Sequence, residues 1–225
     1  MKKLLLLLMM SCMSPAFAAA PWVLASDKDG IRVYTQDEPG QDLKNFRGVV
    51  RVNAPMRLVL AALMDSEAMP EWFFHLREAR MLEVGTPQGS YMYLWLRGIW
   101  PVSDRDAVIR LGMRQQPDTL ALHMEATAAP AHLPPMRDRV RIPRMRSGWV
   151  VTPVSPGVTE IQLDGNADPG GRIPVWIANL VVTKMPRETL SNLRARLQTP
   201  GRVNAAALTA DPKVAKLLAG ITLPE

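Results

Sequence analysis

Apolar and polar residues alternate along much of the chain with the two-residue period of β-strands that bury one face. In Asp106–Arg114 every second side chain is apolar, and Arg110 lies among the intervening positions. The turn residues Gln116-Pro117-Asp118 and Ser155-Pro156-Gly157 indicate hairpins between neighbouring runs. The predicted strands are Ile31–Thr35, Asn45–Val52, Arg80–Val84, Ser90–Arg97, Asp106–Arg114, Thr119–Ala126, Val140–Ile142, Ser147–Pro153 and Val158–Asp164.

Two stretches follow the helical period instead. A helix begins at Ala54-Pro55 and ends near Asp65, and a second one covers Ile173–Gln198 with Pro174 in its first turn. At 1.5 Å per residue the second helix is roughly 39 Å long, more than one layer of a small sheet covers unless the sheet curls around it. The pattern alone predicts an antiparallel α+β fold.

One predicted strand and one aromatic segment add detail to this layout. Ser90–Arg97 is apolar or aromatic on both faces, which predicts that other parts of the chain cover both sides of it. Pro70–Leu76 is a short segment that holds Trp72 and two phenylalanines.

The first residues have the pattern of a secretory signal peptide. Two lysines precede the short apolar core Leu4–Met10, and Ala16-Phe17-Ala18 is a small-x-small cleavage site. We predict a signal peptide over residues 1–18 and export to a bacterial periplasm. Cleavage there removes Cys12, the only cysteine, so the remaining chain forms no disulfide. The alternative is that Met9-Met10-Ser11-Cys12 is a lipid-attachment site.

The rest of the chain divides into one domain and a tail. Residues 19–200 are long enough for one substantial core, and residues 201–225 read as a tail with a short helix over Pro212–Ala219, capped by Asp211. The formal charge of +6 includes the two lysines of the signal peptide. A basic balance favours contact with anionic surfaces, in a periplasm lipid head groups rather than nucleic acid. An ordinary soluble basic protein is the alternative.

The sequence carries no recognisable catalytic or metal-binding motif. His75, His123 and His132 have no partners at the spacing of a metal site, and nucleotide and hydrolase fingerprints are missing. We therefore expect no cofactor, no metal and no enzymatic activity. The residue pairs that an enzyme could use as acid and base are Asp106 with Arg105, and His123 with Glu125.

Two motifs carry a family resemblance. Trp100-Pro101-Val102-Ser103-Asp104-Arg105-Asp106 and Asp168-Pro169-Gly170-Gly171-Arg172-Ile173-Pro174, with the order of elements around them, resemble the START (StAR-related lipid-transfer) domain family, here as an exported bacterial member. The resemblance covers about Trp22 to Gln198. It implies a helix-grip fold, in which a curved antiparallel sheet wraps around the long C-terminal helix, and non-covalent binding of one lipid or other hydrophobic molecule.

The resemblance also implies an internal cavity and suggests its ligand contacts. Arg105 either anchors a polar head group or forms a buried ion pair that holds the sheet to its neighbours, and Trp72 and Trp176 either touch the ligand or pack in the core. The methionines near this core suit a flexible guest. The predicted ligand-binding residues are Trp72, Leu94, Leu96, Arg105, Ile109, Leu111, Leu120, Leu122, Trp176 and Leu180.

A cluster of five arginines between Arg137 and Arg146 is either a solvated outer sheet face or a surface that docks on an anionic membrane. The adjoining Thr127–Arg137 loop is one candidate gate of the cavity. We expect a monomer that binds and carries a hydrophobic molecule, touches a membrane transiently and binds no nucleic acid. The alternatives are an enzyme on the same scaffold and an envelope protein that docks a partner through its arginines and tail.

Overall fold

A ten-stranded sheet and five helices make up the part of the chain that the structure describes. This structure is a computed structural model, and it describes residues 20–40, 43–85, 89–171 and 173–224. The predicted signal peptide, residues 1–18, lies outside the described residues. The strands are β1 Val23–Lys28, β2 Ile31–Gln36, β3 Asn45–Val52, β4 Leu76–Glu83, β5 Ser90–Leu96, β6 Arg105–Gln115, β7 Leu122–Ala128, β8 Val140–Arg141, β9 Arg144–Ser155 and β10 Val158–Asp168.

The sheet is antiparallel along its whole main path. Its strand order is β1-β2-β3-β10-β9-β7-β6-β5-β4, and the short β8 pairs in parallel with the start of β6. The long neighbours β9 and β10 meet through the turn at Gly157, whose φ of 72° is readily adopted by glycine. The predicted hairpin at Ser155-Pro156-Gly157 is therefore confirmed.

The helices are α1 Met56–Met64, α2 Met69–Trp72, α3 Val175–Gln198, α4 Ala207–Ala210 and α5 Pro212–Leu217. The C-terminal half of α3 packs against β2, β3 and α1, and its Leu190 and Leu193 are completely buried. Close approach to β3 depends on Gly48, because a Cβ atom there would lie 2.7 Å from Leu190 Cδ1. The solid core thus lies under one half of α3, and the sheet curls around the other half.

This arrangement confirms the predicted helix-grip fold, with several differences in the strands. Strand β4 begins at Leu76 rather than at Arg80, and β9 and β10 are longer than predicted. Strand β1 was not predicted, because its side chains are mostly exposed and only Val23 and Leu24 begin an apolar pattern. Strand β7 begins at Leu122 rather than at Thr119, since Leu120 has a φ of 56° and belongs to the preceding turn. None of the helices in the described part of the chain combines the length and the hydropathy needed to cross a bilayer.

Candidate functional site: an apolar cavity

A cavity of about 560 Å³ lies between the inner face of the sheet and the N-terminal half of α3. Strand alternation directs one set of side chains from β5 and β6 into it, and Ile177, Val181 and Met185 face it from α3. Ligand sites for small molecules commonly measure about 300–1,000 Å³ and are mostly apolar. The size and the lining of this cavity therefore suit one hydrophobic ligand.

Five of the ten predicted site residues line the cavity. Leu94 and Leu96 come from β5, and Arg105, Ile109 and Leu111 come from β6. Leu94 pairs directly with Ala107 and Leu96 with Arg105, so the two strands present one continuous inner surface. These five side chains reach the cavity, as the resemblance implied, and their contact with a ligand stays a prediction.

Trp72 does not line the cavity. Its side chain is 2% exposed and makes edge-on contacts with the rings of Phe73 and Trp149, each at 6.0 Å between centroids. Phe73 and Trp149 are the residues that reach the cavity. Trp72 thus supports the wall from behind, which corrects its predicted position.

The other four predicted residues also lie outside the lining. Leu122 is completely buried in the core, and Leu120 belongs to the turn before β7. On α3, Ile177 and Val181 point inward, so that Trp176 is 55% exposed and Leu180 is half-buried at the side of the helix. The helical period predicted less well which face of α3 points into the cavity than alternation predicted the inner faces of the strands. The reason is that the apolar residues of α3 are not confined to one side.

Methionine is the most frequent residue type in the cavity wall. Its thioether chain is unbranched and flexible, so a wall rich in methionine adapts to the shape of a flexible guest. Eight methionines of the described residues reach the cavity. These residues are Met64, Met69, Met81, Met92, Met113, Met124, Met145 and Met185.

Arg105 is a buried cation at one end of the cavity. Its side chain donates to the carbonyl oxygens of Ser103, Pro169 and Gly170, the last at 3.3 Å. Within residues 20–40, 43–85, 89–171 and 173–224, no carboxylate lies within 4.0 Å of it, so the predicted ion pair is wrong. Burial lowers the pKa of the Arg105 guanidinium below its ordinary value, because desolvation disfavours the charged form.

The guanidinium of Arg105 therefore retains hydrogen-bonding capacity. A guanidinium has five N–H groups, and the three carbonyl bonds use three of them. The bonds also join the loop over residues 97–104 to the turn between β10 and α3. Arg105 thus holds two segments of the cavity wall together while its charge has no anionic partner in the described part of the chain.

Asp106, the next residue, points to the opposite face of the sheet. Its carboxylate is completely buried and accepts two hydrogen bonds from Arg141, at 2.8 and 3.0 Å. Arg141 also donates to the carbonyl oxygens of Pro130, Leu133 and Pro134. This pair fastens the segment over residues 129–142 to the sheet, including the loop that was the candidate gate.

The same segment covers the outer face of β5, as the sequence predicted. Arg139 donates to the hydroxyl of Tyr93 at 3.0 Å and stacks 3.8 Å from the centre of the Trp95 ring. The ring of His132 stacks on Tyr91 at 3.8 Å. Arg139 and Arg141 are therefore structural residues rather than members of a solvated or membrane-docking face, which corrects that part of the arginine-cluster prediction.

Neither of the two residue pairs considered for acid–base chemistry has both members in the cavity lining. Arg105 and Asp106 lie on opposite faces of β6. His123 lies near Arg114 and Thr127 in a shallow depression on the outer face, and Met124 beside it points inward. Burial, followed by the Arg114 charge, lowers the pKa of His123, so this histidine is mostly neutral at pH 7. Among the described residues, no group of three potential metal ligands is close enough to hold an ion.

The chain resembles known proteins over most of its length. The START domain family model matches residues 11–202. An uncharacterized protein of Pseudomonas aeruginosa is 32% identical over 179 residues, which cover 79% of this chain and 87% of that protein. The STAR-related lipid transfer protein of Xanthomonas axonopodis, a crystal structure, is 35% identical with a TM-score of 0.72 and covers 79% of this chain and 99% of that chain.

A human structure shares the fold at lower identity. Human STARD10 is 17% identical, covers 90% of this chain and 83% of its own, and gives a TM-score of 0.74. This likeness shows that the two proteins share a fold. Because the family model also spans well over half of the sequence, the chain belongs to the START domain family.

Proposed function

We propose that this START domain binds one lipid, or another elongated hydrophobic molecule, in its cavity and carries it through water without changing it chemically. The observation that carries the proposal is the apolar, methionine-rich cavity of about 560 Å³. Each methylene group that leaves a bilayer for water costs about 0.8 kcal/mol, so a C16 chain faces on the order of 12 kcal/mol. A closed apolar cavity removes most of that barrier.

Arg105 supports a more specific proposal for the ligand. A buried guanidinium with unused N–H groups recognises carboxylate or phosphate oxygens, which accept strong charge-assisted hydrogen bonds. We propose a ligand with an anionic head group at the Arg105 end and an apolar body along β5 and β6. The predicted signal peptide supports a periplasmic setting, in which such a carrier would act between membranes.

The Arg105 end of the cavity also carries exposed apolar side chains. Trp100 is 86% exposed on the loop over residues 97–104, and Val175 and Trp176 are 75% and 55% exposed at the start of α3. Both segments contribute residues to the cavity wall, among them Ile99 and Ile177. Tryptophan is favoured at the interface between lipid and water. We propose that this end touches the membrane when the ligand enters or leaves.

The membrane contact predicts a loss of vesicle binding. The double variant W100A/W176A is expected to bind vesicles of phosphatidylglycerol and phosphatidylethanolamine at least tenfold more weakly, because it removes two interfacial anchors. Vesicle co-sedimentation measures this change. V175A and V154A form a matched pair, in which V154A is the control. Val154 is 44% exposed on the β9–β10 hairpin, so V154A should not change vesicle binding. Equal binding by the double variant and the unchanged protein would contradict this contact.

Ligand capture tests the proposed function directly. The protein is incubated with vesicles of a total lipid extract, separated from them, and examined by native mass spectrometry. We expect a one-to-one complex, and extraction should return the lipid with its original mass. Protein that stays empty after repeated incubation would contradict binding, and a lipid of altered mass would contradict a purely non-catalytic role.

A further inference from the structure

The residues that follow α3 form part of the cavity wall. The family model ends at residue 202, and the tail continues through α4 and α5. On α5, Val214 and Leu217 face the cavity, and Asp211 and Lys213 lie at its rim. We call residues 203–224 the strap. A segment beyond the family match therefore supplies ligand-facing surface.

The strap is held at three places along its length. Leu208 is 2% exposed, and Ile221 and Leu223 pack half-buried against the core. The side chain of Gln115, at the end of β6, makes two reciprocal hydrogen bonds with the backbone of Thr222. Its Nε2 donates to the Thr222 carbonyl at 2.7 Å, and its Oε1 accepts from the Thr222 amide at 2.8 Å.

This attachment lies far from Arg105. Arg105 begins β6 and Gln115 ends it, so about 30 Å of strand separate the two residues. The Arg105 end is therefore shaped by the loop over residues 97–104 and the start of α3, and the other end by the strap.

From this geometry we propose that the strap is a built-in closure of the ligand site, with Val214 and Leu217 as ligand contacts and the Gln115–Thr222 bonds as its clasp. The inference rests on the proposed function, because it concerns retention of the same ligand. A helix as short as α5, with six residues, is unstable in isolation. The strap therefore depends on its contacts with the domain, and the clasp controls how often it opens and lets the ligand escape.

Hydrogen exchange of the ligand-free full chain tests the closure by itself. The amides of Ala215 and Leu218, which donate to Asp211 and Val214, are expected to be protected. In Q115A their exchange should be roughly three- to tenfold faster, because two hydrogen bonds are lost. The control is Q116A, at the exposed neighbouring glutamine. Exchange at the rate of an unstructured peptide in the unchanged protein, or equal exchange in Q115A and Q116A, would overturn the closure.

A second variant separates the clasp from local folding. Gln115 also donates to Leu120 at 3.0 Å, so Q115A alters the turn before β7 as well. T222P removes the amide donor of the clasp and leaves the Gln115–Leu120 bond in place. If the clasp acts as proposed, T222P accelerates exchange at Ala215 and Leu218 as Q115A does. A change in Q115A alone would assign the effect to the turn and overturn the clasp.

Ligand release is then measured with phosphatidylglycerol that carries a nitrobenzoxadiazole label on one acyl chain. Loaded Q115A, T222P and V214A/L217A should lose the probe to acceptor vesicles about three- to tenfold faster than Q116A or the unchanged protein. An unchanged protein that takes up no probe would count against the proposed function. Equal release from all the loaded proteins would overturn the inference and leave the proposed function intact.

Discussion

Replacement of Asp106 by asparagine is expected to lower the free energy of unfolding by about 3–5 kcal/mol. The Asp106 carboxylate is completely buried and receives two hydrogen bonds from Arg141, whose side chain is 10% exposed. Asparagine keeps the shape but leaves the Arg141 cation without a compensating charge. Desolvation of an uncompensated ion costs more than the loss of one ordinary hydrogen bond. Urea denaturation followed by tryptophan fluorescence measures the change.

The same sheet offers a matched control for this prediction. Glu160 accepts from Arg51 at 2.8 Å across β10 and β3, but the Arg51 side chain is 64% exposed. E160Q makes the same change from carboxylate to amide in a solvated pair, and such pairs are worth about 0–1 kcal/mol. A similar loss in D106N and E160Q would show that burial of the Asp106 pair adds no stability.

The contrast between Asp106 and Arg105 also shows what the sequence could predict. The two residues lie on opposite faces of β6, as the two-residue period of a strand predicts. The hydrogen-bond partners of these two residues could not be predicted from alternation. Arg141 lies 35 residues after Asp106, and only the folded loop brings it to the carboxylate. For Arg105 the sequence left a head-group anchor and a buried ion pair as alternatives, and its contacts with backbone carbonyl oxygens were not predicted.

Prediction of the cavity wall also succeeded where it depended on local sequence pattern and failed where it depended on long-range contacts. Leu94, Ile109 and Leu111 were placed correctly, because a strand in a curled sheet has a single inner face. Trp72 was misplaced because its neighbour Phe73 and the distant Trp149 occupy the surface in front of it. The strap was recognised only as a tail, since its short helix has no pattern that indicates where it packs.

The largest expected effect on ligand binding comes from Arg105. In the proposed function its guanidinium binds the anionic head group in a buried site, where loss of a charged partner costs about 2–4 kcal/mol. R105Q is therefore expected to weaken binding of labelled phosphatidylglycerol by about 30- to 1,000-fold. Labelled diacylglycerol, which has the same acyl chains and no charge, should bind R105Q nearly as well as it binds the unchanged protein.

The ratio of the affinities for labelled phosphatidylglycerol and labelled diacylglycerol distinguishes recognition of the head group from support of the cavity wall. Arg105 also contacts the carbonyl oxygens of Ser103 and Gly170, so any effect of R105Q on the wall should weaken binding of both lipids equally. R97Q, at an exposed arginine of the same cavity end, removes the same charge without a buried contact and should leave the ratio unchanged. Fluorescence titration gives both affinities. An equal loss for the two lipids in R105Q would mean that Arg105 acts only on the wall, because a structural defect does not distinguish a charged head group from a neutral one.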